Sequence, residues 1–181
     1  MNTLKITTFQ AYLFWENIEK NLQNLGLRLS SIREKTDLIV LPEMFSTGFS
    51  MNPEQLAEEM DGKTMKWMHQ QAKKFDCVLT GSIIIKEDKK YLNRLIWMRS
   101  DGTYEFYDKR HLFGLGEEDK HYSSGNKKLF VELHGWKICP MICYDLRFPV
   151  WLRNIDEEYD MLLIVANWPE RRSLHWRTLI P

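Results

Sequence analysis

The sequence predicts an α/β fold in which helices pack on a mixed β-sheet. Three observations point there. Strand-like and helical apolar spacings alternate through residues 3–85. Short runs separated by charged turns then follow one another as hairpins over residues 77–108. Two further apolar runs, Trp136–Ile142 and Met161–Val165, read as buried strands.

Taken in order, Leu4, Ile6 and Thr8 alternate with their neighbours, so residues 3–10 read as a first strand. Trp15, Ile18, Leu22, Leu25, Leu29 and Ile32 recur every three or four residues and form the core-facing stripe of a long helix. Residues 37–41 are a continuous apolar run, typical of a central strand. Met65, Met68, Ala72 and Phe75 mark a second helix. Residues 77–85, 91–98 and 103–108 are consecutive strands joined by turns at 86–90 and Ser100-Asp101-Gly102. Gly81 offers a place for another backbone to approach closely. Residues 114–126 form a long polar loop, and loops of that length in compact domains are often functional. Residues 129–133 and 136–142 make a hairpin through His134-Gly135, and residues 170–180 open another helix.

Composition narrows the function classes. The 181 residues are enough for one well-packed domain, here taken as 1–181. Lysine plus arginine and aspartate plus glutamate are balanced at 25 each, so no net charge favours nucleic acid or an anionic membrane surface. No apolar run approaches a membrane span, and residues 1–10 carry no signal-peptide core. The three cysteines have no zinc spacing. Cys139 and Cys143 cannot pair on one strand, because four strand residues span about 13 Å and a disulfide needs Cα atoms within about 7 Å. A reduced, cytoplasmic setting follows as the expectation.

Three residues stand directly beyond apolar strands. Cys143 follows the 136–142 run, where strand hands over to a helical pattern. The first amides of a helix are unpaired and electropositive, which favours a thiolate and can hold an oxyanion. Equally, most cysteines are buried filling. Glu43 follows Leu41-Pro42, and Met44, Phe45, Phe49 and Met51 form an apolar collar that would desolvate it and strengthen it as a general base. A solvated loop glutamate is the plainer alternative. Lys109 follows the 103–108 strand, either as surface charge or as a fixed cation over a reacting carbonyl. Trp168, after the last strand, walls a pocket or fills core.

Leu41-Pro42-Glu43-Met44-Phe45, Asp108-Lys109-Arg110-His111-Leu112-Phe113 and Cys143-Tyr144-Asp145-Leu146-Arg147-Phe148-Pro149 resemble, in order and spacing, the three signature segments of the nitrilase (carbon–nitrogen hydrolase) superfamily. The longer segments Phe45-Ser46-Thr47-Gly48-Phe49-Ser50-Met51 and Tyr107 to Phe113 resemble its bacterial omega-amidase branch, named for hydrolysing the distal amide of 2-oxoglutaramate and 2-oxosuccinamate. The resemblance implies a four-layer α-β-β-α sandwich, usually paired as a homodimer, with no metal or organic cofactor and a small amide as substrate. It implies Glu43 as general base, Lys109 and the Tyr144 amide as oxyanion donors, and Cys143 as nucleophile. A further glutamate falls at Glu118, with Glu117 the fallback. A dicarboxylic monoamide also needs a cation, for which Arg147, Arg171 and Arg172 are candidates, Arg147 alternatively pairing with Asp145. Phe45, Tyr144 and Trp168 are expected to line the pocket. Family chains continue beyond this length, so the sandwich is expected to be C-terminally incomplete. A non-catalytic fragment serving in assembly, another hydrolase of the superfamily, and a Cys–His hydrolase using His111 or His121 remain as alternatives.

Overall fold

A computed structural model of the protein describes residues 3–180. In chain order the elements are β1 (Ile6–Thr8), α1 (Ile18–Leu29), β2 (Leu38–Val40), α2 (Pro53–Leu56), α3 (Lys63–Phe75), β3 (Val78–Glu87), β4 (Lys90–Met98), β5 (Tyr104–Asp108), α4 (Glu118–His121), β6 (Val131–Leu133), β7 (Trp136–Ile142), α5 (Pro149–Leu152), β8 (Met161–Val165) and α6 (Ser173–Leu179). They form two sheets rather than the one mixed sheet that the residue pattern alone suggests. The first has five strands in the order β1-β2-β3-β4-β5, and the second has three in the order β6-β7-β8. β1, β2 and β3 run parallel, joined through helices, whereas β3, β4 and β5 are antiparallel hairpins. β7 pairs antiparallel with β6 and parallel with β8.

Alternate residues of each strand serve different layers. Leu22, Leu25 and Leu29 of α1 and Met65, Met68 and Ala72 of α3 pack on Ile39, Leu79, Ile83, Ile96 and Met98 of the first sheet. The opposite face of that sheet, with Leu38, Val78, Leu95 and Trp97, packs on Ile138, Ile142 and Val165 of the second. Beyond the second sheet, Leu162 and Ile164 line a groove with Leu152 of α5 and Trp176 and Leu179 of α6. The layers therefore run helix, sheet, sheet, helix.

The α1 stripe is shorter than the sequence suggests. Asn17 caps the helix by accepting from the Lys20 amide at 3.0 Å. Trp15 precedes the cap and is 64% exposed, so it is not part of the core stripe.

Local contacts hold the segments just beyond the strand ends. The 41–45 segment runs along β3, with the Leu41 amide donating to Thr80 O (2.7 Å) and the Phe45 amide to Ser82 O (3.1 Å). Met44 adopts a left-handed φ of 45°, and its amide donates to Ser82 Oγ at 2.9 Å. Buried Asn21 of α1 reaches the same segment by donating to Ser46 O at 2.9 Å. At the end of β5, the Lys109 amide donates to Asn93 O (3.0 Å) and the Gly125 amide to Lys109 O (2.9 Å). Buried Arg94 grips the preceding residue, with Nε and Nη2 donating to Asp108 Oδ1 (2.6 Å) and Oδ2 (2.9 Å).

The close approach at Gly81 is made by side chains of the 41–45 segment rather than by another backbone. A β-carbon there would sit 2.8 Å from the Phe45 ring and 2.9 Å from Leu41 Cβ. Gly81→Ala should therefore overpack this contact and cost about 1–3 kcal/mol. The loss should be visible as a melting temperature lowered by roughly 2–4 °C per kcal/mol. An unchanged melting temperature would contradict the packing described.

Candidate active site

Four strand ends from the two sheets meet in one place: Glu43 after β2, Lys109 after β5, Cys143 after β7 and Asn167 just past β8. Glu43, Lys109 and Glu118 are fully buried, and Cys143 is 8% exposed. Lys109 Nζ donates to Glu43 Oε1 at 2.8 Å and to Glu118 Oε1 and Oε2 at 3.0 and 2.8 Å. The Asn167 amide donates to Glu43 Oε2 at 3.0 Å, and the Cys143 thiol lies close enough to the same carboxylate to feel its charge. Asn93 Nδ2 donates to both acids, at 2.9 Å to Glu43 Oε1 and 3.1 Å to Glu118 Oε1.

The segment read as a polar loop holds an inward element. Gly114–Gly116 is a short 3₁₀ turn, Glu117 takes a left-handed φ of 62°, and α4 begins at Glu118. That step turns Glu118 into the cluster, where the Phe113 amide also donates to its Oε2 at 2.7 Å. Glu117 instead faces solvent, paired with Lys120.

Cys143 starts a 3₁₀ turn, Cys143–Arg147, in a left-handed conformation with φ 43°. Asp145 fastens the turn. Its Oδ2 accepts from the Ile142 amide (3.1 Å) and the Tyr107 hydroxyl (2.8 Å). Its Oδ1 accepts from the His111 amide at 2.9 Å and pairs with His111 Nδ1 at 2.8 Å. Asp145 is thus occupied by Tyr107 and His111, not by Arg147. His111 is stacked on Phe148 at 3.7 Å, and neither it nor exposed His121 lines the cavity over Cys143.

Electrostatics differ from the expectation of a helix-activated thiolate. Burial pushes the Cys143 thiol well above its ordinary value, and the Glu43 charge pushes the same way, against an opposing pull from Lys109. The turn after it is a single 3₁₀ segment, too short to supply a strong helix dipole. Burial also works against the Lys109 ammonium, but Glu43 and Glu118 outweigh it and hold the group charged. Burial raises Glu118, Lys109 lowers it, and Glu43 raises it further, leaving it above the ordinary carboxylate value.

A cavity of about 630 Å³ opens over Cys143 and Lys109, lined by Trp15, Phe49, Phe113, Tyr144, Trp168 and Arg172 among others. Tyr144 and Trp168 therefore stand at the cavity wall. Phe45 does not: it is fully buried in the helix–sheet core beside Trp67, because left-handed Met44 turns the chain away from the cavity. Arg147 also lies elsewhere, in the groove with Leu152 and Trp176 beyond the second sheet. Arg171 and Arg172 line the cavity, and the Arg172 guanidinium sits 4.8 Å from the centre of the Phe113 ring. Sequence reasoning missed Asn93 and Asn167. Their signals are present as an Asn inside an apolar strand and a fourth apolar run ending in a polar residue.

Among the described residues no cluster of His, Cys, Asp and Glu could hold a metal ion, and no helix is long and apolar enough to cross a membrane. The chain matches the Carbon-nitrogen hydrolase family over residues 5–180. It is 43% identical over 180 residues to omega-amidase YafV of Escherichia coli (strain K12), covering 99% of this chain and 69% of that one. It is 30% identical over 179 residues to 2-oxoglutaramate amidase of Bacillus subtilis (strain 168), covering 97% and 69%. Among solved structures it is similar to XC1258 from Xanthomonas campestris, a CN-hydrolase superfamily protein with an arsenic adduct in its active site. That likeness has a TM-score of 0.95 and 40% identity, over 99% of this chain and 71% of the other. With its four layers, its buried acid–amine–thiol cluster and these relatives, the chain belongs to the carbon–nitrogen hydrolase family.

Proposed function

We propose that this protein is an omega-amidase: it hydrolyses the distal amide of a small 2-oxo dicarboxylic monoamide, such as 2-oxoglutaramate or 2-oxosuccinamate, to ammonia and the free acid. The observation that carries the reading is the buried Glu43–Lys109–Glu118 ion cluster beside the Cys143 thiol, with Cys143 and Lys109 both lining one cavity. The two similar amidases support the choice of substrate.

The chemistry follows from the protonation states. The thiol is neutral at rest, so it needs a base at the moment of attack. Glu43 takes the proton as sulfur bonds to the amide carbon. The new oxyanion is stabilised by Lys109 Nζ and the Tyr144 backbone N–H, which lies at the start of the turn. Glu43 then gives its proton to the departing nitrogen, the carbon–nitrogen bond breaks, and ammonia leaves a thioester on Cys143. Water adds to the thioester carbon and loses a proton to Glu43. Glu118 keeps that base in place through the shared Lys109. Expulsion of sulfur takes the proton back and releases the carboxylic acid. No cofactor is required.

Arg172 binds the substrate's far carboxylate in this reading. It is half-buried at the cavity wall, braced on Phe113, and its carbonyl accepts from Trp168 Nε1 at 2.7 Å. Phe49, Tyr144 and Trp168 enclose the carbon chain. The single-domain, homodimeric and cytoplasmic assignments belong to the same reading. Three free cysteines suit a reducing compartment, and the apolar groove by α5 and α6 suits pairing through a helical layer.

Two measurements test this. Ammonia release should be found with 2-oxoglutaramate and not with a nitrile or a carbamoyl amino acid, and Cys143→Ala should abolish it. Arg172→Leu should raise KM for 2-oxoglutaramate about tenfold or more, on the scale of a lost charge-assisted hydrogen bond, while sparing an uncharged aliphatic amide. An equal effect on both substrates would remove Arg172 from the reading, and turnover by Cys143→Ala would remove the mechanism. Separately, alkylation of Cys143 by iodoacetamide should keep accelerating as pH rises past 9, the ordinary thiol value, because the raised pKa keeps the thiolate scarce below it. A plateau near neutrality would show a preformed thiolate instead.

A further inference from the structure

Asn93 contacts Glu43, Glu118 and Lys109, yet it does not line the cavity. It is fully buried on β4, opposite Ile84 of β3. Its backbone carbonyl accepts from the Lys109 backbone amide at 3.0 Å. Its Nδ2 donates to Glu43 Oε1 at 2.9 Å and Glu118 Oε1 at 3.1 Å, the same two oxygens to which Lys109 Nζ donates at 2.8 and 3.0 Å. Two carboxylate oxygens are therefore bridged twice, once by an ammonium and once by a neutral amide. Asn93 Oδ1 is buried with no hydrogen-bond partner among the described residues. An orphaned buried acceptor is costly, so a leucine would suit this place better if packing were its only purpose.

We propose that Asn93 is a positioning residue for the hydrolysis, an uncharged clip that holds the two carboxylates side by side and fixes Glu43 beside Cys143. Charge balance gives the reason for an amide here. Two buried acids share a single ammonium, so a further donor is needed to hold both. A second cation would hold them too, but it would quench the base. An amide supplies two N–H donors without charge, so Glu43 is oriented and still able to accept the thiol proton. The groups facing this clip are Glu43, Lys109 and Glu118, with Tyr122 of the segment after α4 beside them and Cys143 beyond Glu43.

This inference rests on Glu43 as the base, and the experiment separates the two. Steady-state kinetics with 2-oxoglutaramate would be run on the full chain, on Asn93→Leu and on Asn93→Asp, the second keeping the volume. Both variants should lower kcat by about 10²-fold, the scale of a small misplacement of reacting groups, with KM within a factor of about three, since no cavity wall is removed. Asn93→Asp should also recover activity as pH falls, because a protonated Asp regains one O–H donor. A purely structural role would lower the folded fraction and leave the pH profile of the remaining enzyme unmoved. Folded variants with kcat near that of the unmutated chain, or with the loss confined to KM, would overturn the proposal. If neither variant folds, the Asn93 side-chain amide protons of the unmutated chain should shift in the NMR spectrum when Cys143 is alkylated, and unmoved resonances would overturn it. An active Glu43→Gln would instead sink the mechanism, whereas an inactive Glu43→Gln beside unaffected Asn93 variants would sink only this inference.

Discussion

Everything at the site depends on one buried ion cluster, the Lys109 ammonium held between the carboxylates of Glu43 and Glu118 with all three side chains dry. Charges removed from water are stable only when paired and hydrogen-bonded, and removing one partner of a buried pair costs about 3–5 kcal/mol. The protein meets that demand with donors whose positions are set by the backbone: the Asn167 and Phe113 amides and the Asn93 side chain. The cluster fixes the protonation states as well. Lysine stays charged, cysteine stays protonated, and the carboxylate between them is the group placed to accept a proton.

The double-sheet architecture makes such a cluster possible. Glu43 and Lys109 come from strand ends of the first sheet, and Cys143 and Asn167 from strand ends of the second. Packing Leu95 and Trp97 against Ile138, Ile142 and Val165 brings those ends together. The same packing excludes water from the ion cluster. Arg94 on Asp108 and Asp145 on Tyr107 and His111 then tie the loops down at hydrogen-bond distance. Left-handed backbone at Met44, Glu117 and Cys143 marks the turns by which Glu43, Glu118 and the sulfur reach the site. Such conformations persist where surrounding contacts over-determine them.

Much of this is readable from the residues because an apolar strand that stops at a polar residue leaves a visible mark. Glu43, Lys109 and Cys143 each bear that mark, and the Leu22, Leu25, Leu29 stripe shows its period directly. Division into two sheets is not visible in local patterning, since strand pairing is a non-local choice; it follows from the family resemblance. Phe45 reads as a pocket wall because composition describes the collar around Glu43 but not the turn at Met44 that sends its ring into the core. Trp15 fits the helical period but falls before the Asn17 cap, so it reaches the cavity instead. Asn93 is hidden inside a strand whose neighbours Leu92, Leu95 and Ile96 set the pattern. Arg147 is near Cys143 in sequence, and the tight turn converts that nearness into distance in space.

Glu43 and Lys109 act as one unit on Cys143, and on that claim the mechanism stands. A double-mutant cycle on kcat/KM with Glu43→Gln, Lys109→Met and the pair tests it most directly. Each single variant should lose about 10²–10³ in rate or more, and the pair should lose little beyond the worse of the two, as expected for residues that work together. Losses that multiply in the double variant would show two independent contributions and contradict the claim.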